Sequence, residues 1–364
     1  MRSREATSES RVGAPPPQGR ADAAVVLMRW RVVRVALRVL AIAALLLLLR
    51  FVVIPQFIDA AHDLHEIRAL SPWQLLLALA LELASLAAYG ALTWCVLDPR
   101  DRPGYGTVLR VDLAGVGTTN AIPAGGAFAL AVRYRLLAAA GSSPTTIVGG
   151  IAVEVILSNL LLGAVFALGL LLSLASLPPS PYYQVAGAFM VVIFGGAAIA
   201  LAVAVRRRER VAGAVGRRTR RLPEAWRDRI VLFVDDAVGN VAALALDRRR
   251  FGAAIVWGAL NWLLDAAALW VLLAAFGYRA DPGQLLLVYG LVGILAIVPI
   301  TPGGLGVVEG VMVPLLVALG SSYQIAILGV IAWRLLQFWM PMPLGALSAI
   351  SLMVRPNRPR RSTR

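Results

Sequence analysis

The sequence predicts an all-α polytopic membrane protein with about six full transmembrane helices, two re-entrant or broken helix hairpins and an inverted internal repeat. Three observations carry that fold class. Hydrophobic residues fill 59% of the 364 positions and charged residues only 15%, with a mean hydropathy of +0.76. Several separate apolar runs approach or exceed the roughly 20 residues a bilayer crossing needs, a pattern a soluble core does not require. Finally, Thr301-Pro302-Gly303-Gly304-Leu305-Gly306-Val307-Val308-Glu309-Gly310 interrupts what is otherwise one long apolar segment. Pro removes an amide donor and Gly admits close backbone approach. Non-helical backbone at membrane depth survives only where protein buries it or where it lines a wet cavity.

Residues 1–32 are polar and Arg-rich, contain Pro15-Pro16-Pro17, and read as a disordered basic cytoplasmic tail. The transmembrane domain is expected over 33–354. Its first span is about Val33 to Ile54, with Arg50 near the outer end, where a long side chain snorkels to the headgroups. The loop at 55–72 holds the two histidines, His62 and His65. Their i, i+3 spacing fits a metal site, and the same segment fits an amphipathic helix at the interface. No metal site is assigned. The single cysteine, Cys95, excludes an internal disulfide and a multi-cysteine metal site.

The second span is about Trp73 to Leu97, with Glu82 in its middle. In the segment 107–139, Thr119 to Gly126 splits two weakly apolar stretches, and Arg133 and Arg135 follow. A span at about Thr145 to Leu172 carries Glu154, and one at Tyr182 to Val205 returns the chain to the cytoplasm. Residues 206–250 form an Arg-rich cytoplasmic loop. They contain thirteen arginines and six acidic residues, and Ile230 to Leu246 reads as an interfacial helix because Asp235 and Asp236 interrupt it. The loop reads as a positive-inside anchor attracted to anionic headgroups, not as a nucleic-acid surface. A span at Phe251 to Phe276 contains Asp265. The broken segment at 285–319 and a long last span, Tyr323 to Val354, complete the domain, and 355–364 is a basic tail.

All 35 basic residues are arginine, against 20 acidic ones. Thirty-one of them fall in the N-terminal segment through Arg38, the 98–104 turn and first hairpin, the 206–250 loop and the C-terminal tail, which places those segments and both termini on the cytoplasmic side of the plasma membrane. The two hairpins look related. Pro123-Ala124-Gly125-Gly126 precedes Gly141-Ser142-Ser143 and a span with Gly150 and Glu154. Thr301-Pro302-Gly303-Gly304 precedes Gly320-Ser321-Ser322 and a span with Gly329 and Arg334. With the first hairpin entering from the cytoplasm and the second from outside, this is an inverted repeat, an architecture of alternating-access transporters.

The Pro-Gly-Gly-Leu-Gly-x-x-Glu-Gly stretch at 302–310, with Arg334-Leu335-Leu336, resembles the lysylphosphatidylglycerol synthase transmembrane family. This is the flippase-like region of the multiple peptide resistance factor. The resemblance covers most of 33–354. The family often has Glu after the first glycine pair, where this chain has Ala127 and Phe128, and Glu-Arg in the next span, where it has Glu154-Val155. The resemblance implies a domain that moves a polar-headed lipid between leaflets. The full resistance factor adds a soluble aminoacyl-transferase domain. The longest hydrophilic stretch here, 206–250, is too small to bury such a catalytic core, so no lysyltransferase activity is expected.

Ionisable residues inside spans are expensive in lipid and belong at the bundle interior or beside a partner. The candidate substrate-binding residues are therefore Glu309, Arg334, Glu154, Asp265, Glu82 and Arg133, with Asn120, Pro302, Gly303 and Gly304 at the two breaks. Glu309, Glu154 and Arg334 are expected to line a polar site for a lipid headgroup, with arginine suited to phosphate. A helix N-terminus near Gly303 and Gly304 is expected to add a positive dipole end. The alternative is a buried Glu154–Arg334 or Glu309–Arg334 pair that only joins helices. No catalytic set, cofactor or nucleotide-binding loop is expected. The partners are membrane lipids, phospholipid or polyprenyl-linked, and a separately encoded synthase or glycosyltransferase. A non-transport scaffold is the competing class of function.

Overall fold

The computed structural model describes residues 71–122, 125–173, 241–244, 246–297 and 301–354, with isolated positions between 192 and 239. All of them belong to one unit, Ala60–Arg364. The expected first span, the histidine loop, the Tyr182–Val205 span, most of the 206–250 loop with its interfacial helix, and both tails lie outside the described residues.

Among the described residues, four helical stretches are long and apolar enough to cross a membrane: Pro72–Val96, Pro144–Ser173, Arg248–Ala275 and Tyr323–Val354. The first three are α1, α4 and α5 in chain order. Between α1 and α4 the expected split segment forms α2 (Tyr105–Ala121) and α3 (Gly125–Ala139), which pack against each other. After α5 come α6 (Pro282–Ala296), a short 3-10 turn (Pro302–Gly304) and α7 (Val307–Ala318). At 15 residues, α6 is about 22 Å long, short of the roughly 30 Å hydrocarbon core. The last stretch divides into α8 (Tyr323–Arg334), a π-helical turn (Leu335–Trp339) and α9 (Pro341–Val354).

Local chemistry explains the boundaries. Pro72 and Pro282 occupy first-turn positions, where the missing amide is harmless. Asp281, Asp247 and Ser322 cap the N-termini of α6, α5 and α8 by accepting amides three residues on. The last carbonyls of α1 are taken by arginines. Arg102 donates to Trp94 O, and Arg250 donates to Cys95 O and Leu97 O. The π turn stands directly before Pro341, which has no amide to return to the preceding helical turn. There Met340 N reaches back five residues to Leu335 O.

Three helix interfaces organise the unit, and each is antiparallel. Along α1 and α5, Leu92 meets Gly258, Ser85 meets Asn261 and Glu82 meets Asp265, in opposite chain order. Along α4 and α6, Phe166 packs on Gly290 and Leu172 on Gly283. Along α2 and α9, Gly117 lies on Gly345, and Arg110 reaches Ser351. Glycine permits these approaches: a Cβ at Gly117 would stand 2.9 Å from Pro341 O and 3.2 Å from Gly345 Cα. Small residues at such contacts let helices associate in lipid, where water exclusion gives no driving force between them.

Candidate functional site

Each broken segment holds a buried arginine, and the surroundings of the two differ. At the first, Arg133 on α3 places Nη1 2.9 Å from Glu154 Oε2 on α4 and Nη2 2.9 Å from Asp112 Oδ1 on α2. It also donates to Tyr89 Oη and Thr93 Oγ1 on α1. One guanidinium thus ties four helices. The Asp112 and Glu154 side chains are 1% and 2% exposed. Gly115, one turn after Asp112, opens the slot: a Cβ there would lie 2.7 Å from Arg133 Cδ.

At the second, Arg334 ends α8. Its Nε donates to Glu309 Oε1 at 2.6 Å, Nη1 to Gln337 Oε1 at 3.0 Å, and Nη2 to the Gly303 carbonyl at 2.9 Å. The guanidinium carbon lies 4.5 Å from the Phe338 ring centre. Gln337 and Phe338, in the π turn, stand three and four residues after Arg334 and so share its helix face. Glu309 is 16% exposed. Its second oxygen accepts the Gly306 amide at 2.7 Å, fastening the N-terminus of α7.

Two expectations are corrected here. Glu154 pairs with Arg133, and it is Glu309 that pairs with Arg334. The reason is placement: Glu154 faces the α2–α3 hairpin, while Arg334 faces the 301–306 turn. The helix N-terminus expected at Gly303 and Gly304 lies at Gly306–Val307, and Glu309 engages its Gly306 amide. Gly303 instead presents a carbonyl to Arg334. Its φ of +53° is left-handed, and a Cβ would overlap the Phe338 ring, so glycine is required on both counts. Pro302 opens the 3-10 turn and Gly304 is buried within it. Asn120, at the end of α2, donates to Phe338 O at 2.9 Å, and a Cβ on Gly303 would stand 3.3 Å from its Oδ1. The first break therefore touches the second through Asn120.

The model of the lysylphosphatidylglycerol synthase transmembrane region matches residues 31–345. The chain belongs to this family. It is similar to a UPF0104 membrane protein of Methanothermobacter thermautotrophicus, 29% identical over 86 residues, which are 24% of this chain and 25% of that one. A UPF0104 membrane protein of Pyrococcus horikoshii is 29% identical over 104 residues, 29% of this chain and 31% of that one. An uncharacterized protein of Synechocystis sp. is 36% identical over 91 residues, 25% of this chain and 27% of that one. The chain thus matches less than a third of the length of these curated relatives.

The remaining candidates of this family member, Glu82 and Asp265, meet each other between α1 and α5. Tyr289 Oη donates to Asp265 Oδ2 at 2.7 Å, and Trp333 Nε1 donates to Oδ1. Sequence reasoning missed Asp112. It stands in a weakly apolar helix and escaped the search for charges inside strong spans. Its signal is the Asp112–Gly115 spacing, an acid and a gap on one helix face. Arg133, counted by sequence among the cytoplasmic arginines, is interior and only 4% exposed.

Proposed function

We propose that this chain is a lipid translocase of the cytoplasmic membrane, moving a polar-headed phospholipid or polyprenyl-linked lipid between leaflets without any aminoacyl transfer of its own. The observation that carries this reading is the Arg334 site. A guanidinium at a helix defect, between two helices too short to span, faces a partly exposed carboxylate and a bare backbone carbonyl. Phosphate competes well for such a fork. Glu309 and the Gly303 carbonyl hold Arg334 when no headgroup is present.

The inverted repeat, with six full spans and both termini cytoplasmic, belongs to this reading. Three features support it. The Gly-Ser-Ser connectors fold alike: Gly141 and Gly320 have φ of +97° and +101°, and Ser142 N and Ser321 N each reach back five residues, to Leu137 O and Leu316 O, at 3.1 Å. Gly150 and Gly329 each receive a leucine from the preceding long span of their own half, Leu97 and Leu273. The interfaces are reciprocal, since α2 packs on the last helix of the second half and α6 on the last span of the first. The matched helices α1 and α5 run antiparallel, as an axis in the membrane plane requires.

Reconstitution tests the reading. Purified protein in liposomes, supplied with headgroup-labelled phosphatidylglycerol, is expected to speed its transbilayer movement, and Glu309→Gln and Arg334→Ala are expected to abolish that gain while remaining folded. Equal movement in wild type and both variants would overturn the assignment of the site. No movement in wild type, for phospholipid and polyprenyl-linked probes alike, would overturn the function.

A further inference from the structure

The Glu82–Asp265 pair is the one buried charge-bearing group in the described unit that the headgroup reading leaves without a task. Glu82 is 2% exposed and Asp265 6%; the Ser85–Asn261 hydrogen bonds at 2.9 Å fix the antiparallel packing of α1 on α5, and Glu82 and Asp265 lie side by side one turn further along it. Two carboxylates placed side by side and away from water do not both keep their charge, so one of them holds a proton. Among the described residues neither forms an ion pair. Asp265 has both oxygens occupied by neutral donors, Tyr289 and Trp333. Glu82 Oε2 is buried with no hydrogen-bond partner. Edge-on contacts of Trp262 with Tyr289 and of Tyr289 with Trp333, at 6.4 and 6.1 Å, box the group in aromatic carbon.

We propose that Glu82 and Asp265 form a proton-binding site that couples proton movement to lipid movement in this protein; the coupling half of the proposal rests on the translocase reading. Occupancy is one shared proton, taken up from water on one side of the membrane and released to water on the other. The transmission is short. Trp333 donates to Asp265, and its neighbour Arg334 holds Glu309 and the Gly303 carbonyl. Arg334 also lies within electrostatic reach of Asp265. When the proton leaves, the pair carries two negative charges, and Arg334 is drawn from the 301–306 turn toward it. When the proton returns, Arg334 is released to Glu309 or to a headgroup phosphate. The proton thus sets how firmly the broken helix is latched.

The charged and titratable groups around the pair are accounted for among the described residues. Tyr289 comes from α6 and Arg334 from α8, with Glu309 of α7 beyond it. Glu154 of α4 and Asp112 of α2 are engaged by Arg133. A metal cation fits poorly here. Hard cations take six or more oxygen ligands, whereas Asp265 is ringed by an indole N–H and a phenol O–H that donate. Proton chemistry suits that donor set.

Two measurements on the full chain test this. The first is infrared spectroscopy of the reconstituted protein with no lipid probe. A protonated-carboxyl stretch is expected at neutral pH, lost in Glu82→Gln and Asp265→Asn and titrating in wild type. Absence of that band in wild type overturns the proton site without reference to transport, and does not depend on any variant folding. The second uses labelled phosphatidylglycerol in liposomes with the membrane potential clamped. At one proton per lipid, a gradient of about one pH unit shifts the steady-state distribution between leaflets by about tenfold. Glu82→Gln is expected to lose the response to the gradient. If wild type keeps the band yet distributes lipid independently of the gradient, the coupling is wrong. If it keeps the band but moves no lipid at all, the translocase reading fails and the proton site stands. A sodium gradient that drives accumulation in place of the proton gradient overturns the choice of ion.

Discussion

Arg133 and Arg334 are both buried guanidinium groups beside a broken helix, yet the first is a joint and the second a latch. The signs are exchanged. In the first segment the arginine sits on the second hairpin arm and its glutamate on the span that follows; in the second segment the glutamate is on the arm and the arginine on the span. The wiring differs more than the signs. Arg133 faces two carboxyl groups, both almost fully enclosed, and reaches side chains on three other helices. Arg334 has one carboxylate, one amide and one main-chain carbonyl, two of them from its own hairpin turn and pair. A group held by many enclosed partners has no alternative arrangement of similar energy. A group held by a few, partly wet ones can exchange them for a ligand. We therefore propose a structural role for the first cluster and ligand exchange for the second, although sequence spacing alone makes them look equivalent.

The largest expected effect breaks this comparison if it goes the other way. Arg133→Met strands two enclosed carboxyl groups, and breaking a buried pair by removing one partner costs about 3–5 kcal/mol. Folded, monodisperse protein is expected to fall sharply, read by size exclusion and by the thermal midpoint in detergent. Arg334→Met leaves one carboxylate, Glu309, which is 16% exposed and keeps the Gly306 amide, together with two neutral oxygens, of Gln337 and Gly303. Its midpoint is expected to fall by much less while labelled-lipid movement is lost. A larger drop for Arg334→Met would make the second cluster the joint.

Sequence made the hairpins legible because proline and glycine act through local backbone chemistry. The interruptions at 120–126 and 301–306 are read from the residues that make them. The long helices are legible for a similar reason, since a span announces itself by length and apolarity. Partner choice was not legible. Glu154, Glu309 and Arg334 are all plausible mates in a one-dimensional list, and only packing separates them. The π turn at Leu335–Trp339 was equally hidden: Pro341 announces a defect, but not its form. Asp112 was missed because charge was sought only where apolarity was strongest.

An intermediate effect sharpens the latch. Gly303→Ala forces a side chain into left-handed backbone and onto Phe338, a strain of about 1–3 kcal/mol. The thermal midpoint is expected to fall, and Phe338→Leu in the same chain to recover part of the loss by relieving the overlap but not the backbone strain. Gly310→Ala is the control. A Cβ there meets nothing within 4 Å, so the change is expected to stay within about 0.5 kcal/mol of wild type. If both alanines behave alike, the turn at Gly303 is not the fixed point of the latch.

The smallest effect separates the two Gly-Ser-Ser connectors. The first is fastened by a carboxylate: Asp101 accepts the Ser143 amide at 2.8 Å. Burial pushes the Asp101 carboxyl up, but hydrogen bonds from the Ser143 hydroxyl and amide and from Thr146 outweigh it and hold the group below its ordinary value. The second connector is fastened by a neutral group, Tyr278 Oη to Leu319 O at 2.8 Å. A carboxyl lowered by folding contributes stability that is complete above the unfolded value, about 3.9, and is lost as pH falls through the lower folded value. Asp101→Asn is therefore expected to lower the thermal midpoint at neutral pH by an amount in keeping with one hydrogen bond, about 1 kcal/mol. The gap to wild type is expected to start closing below about pH 4 and to vanish once pH falls below the lower folded value, where the wild-type carboxylate is itself neutralised. Tyr278→Phe is expected to show a gap of similar size that does not change with pH. A pH-dependent gap for Tyr278→Phe, or a constant one for Asp101→Asn, would mean that the connectors are not held by the groups that touch them.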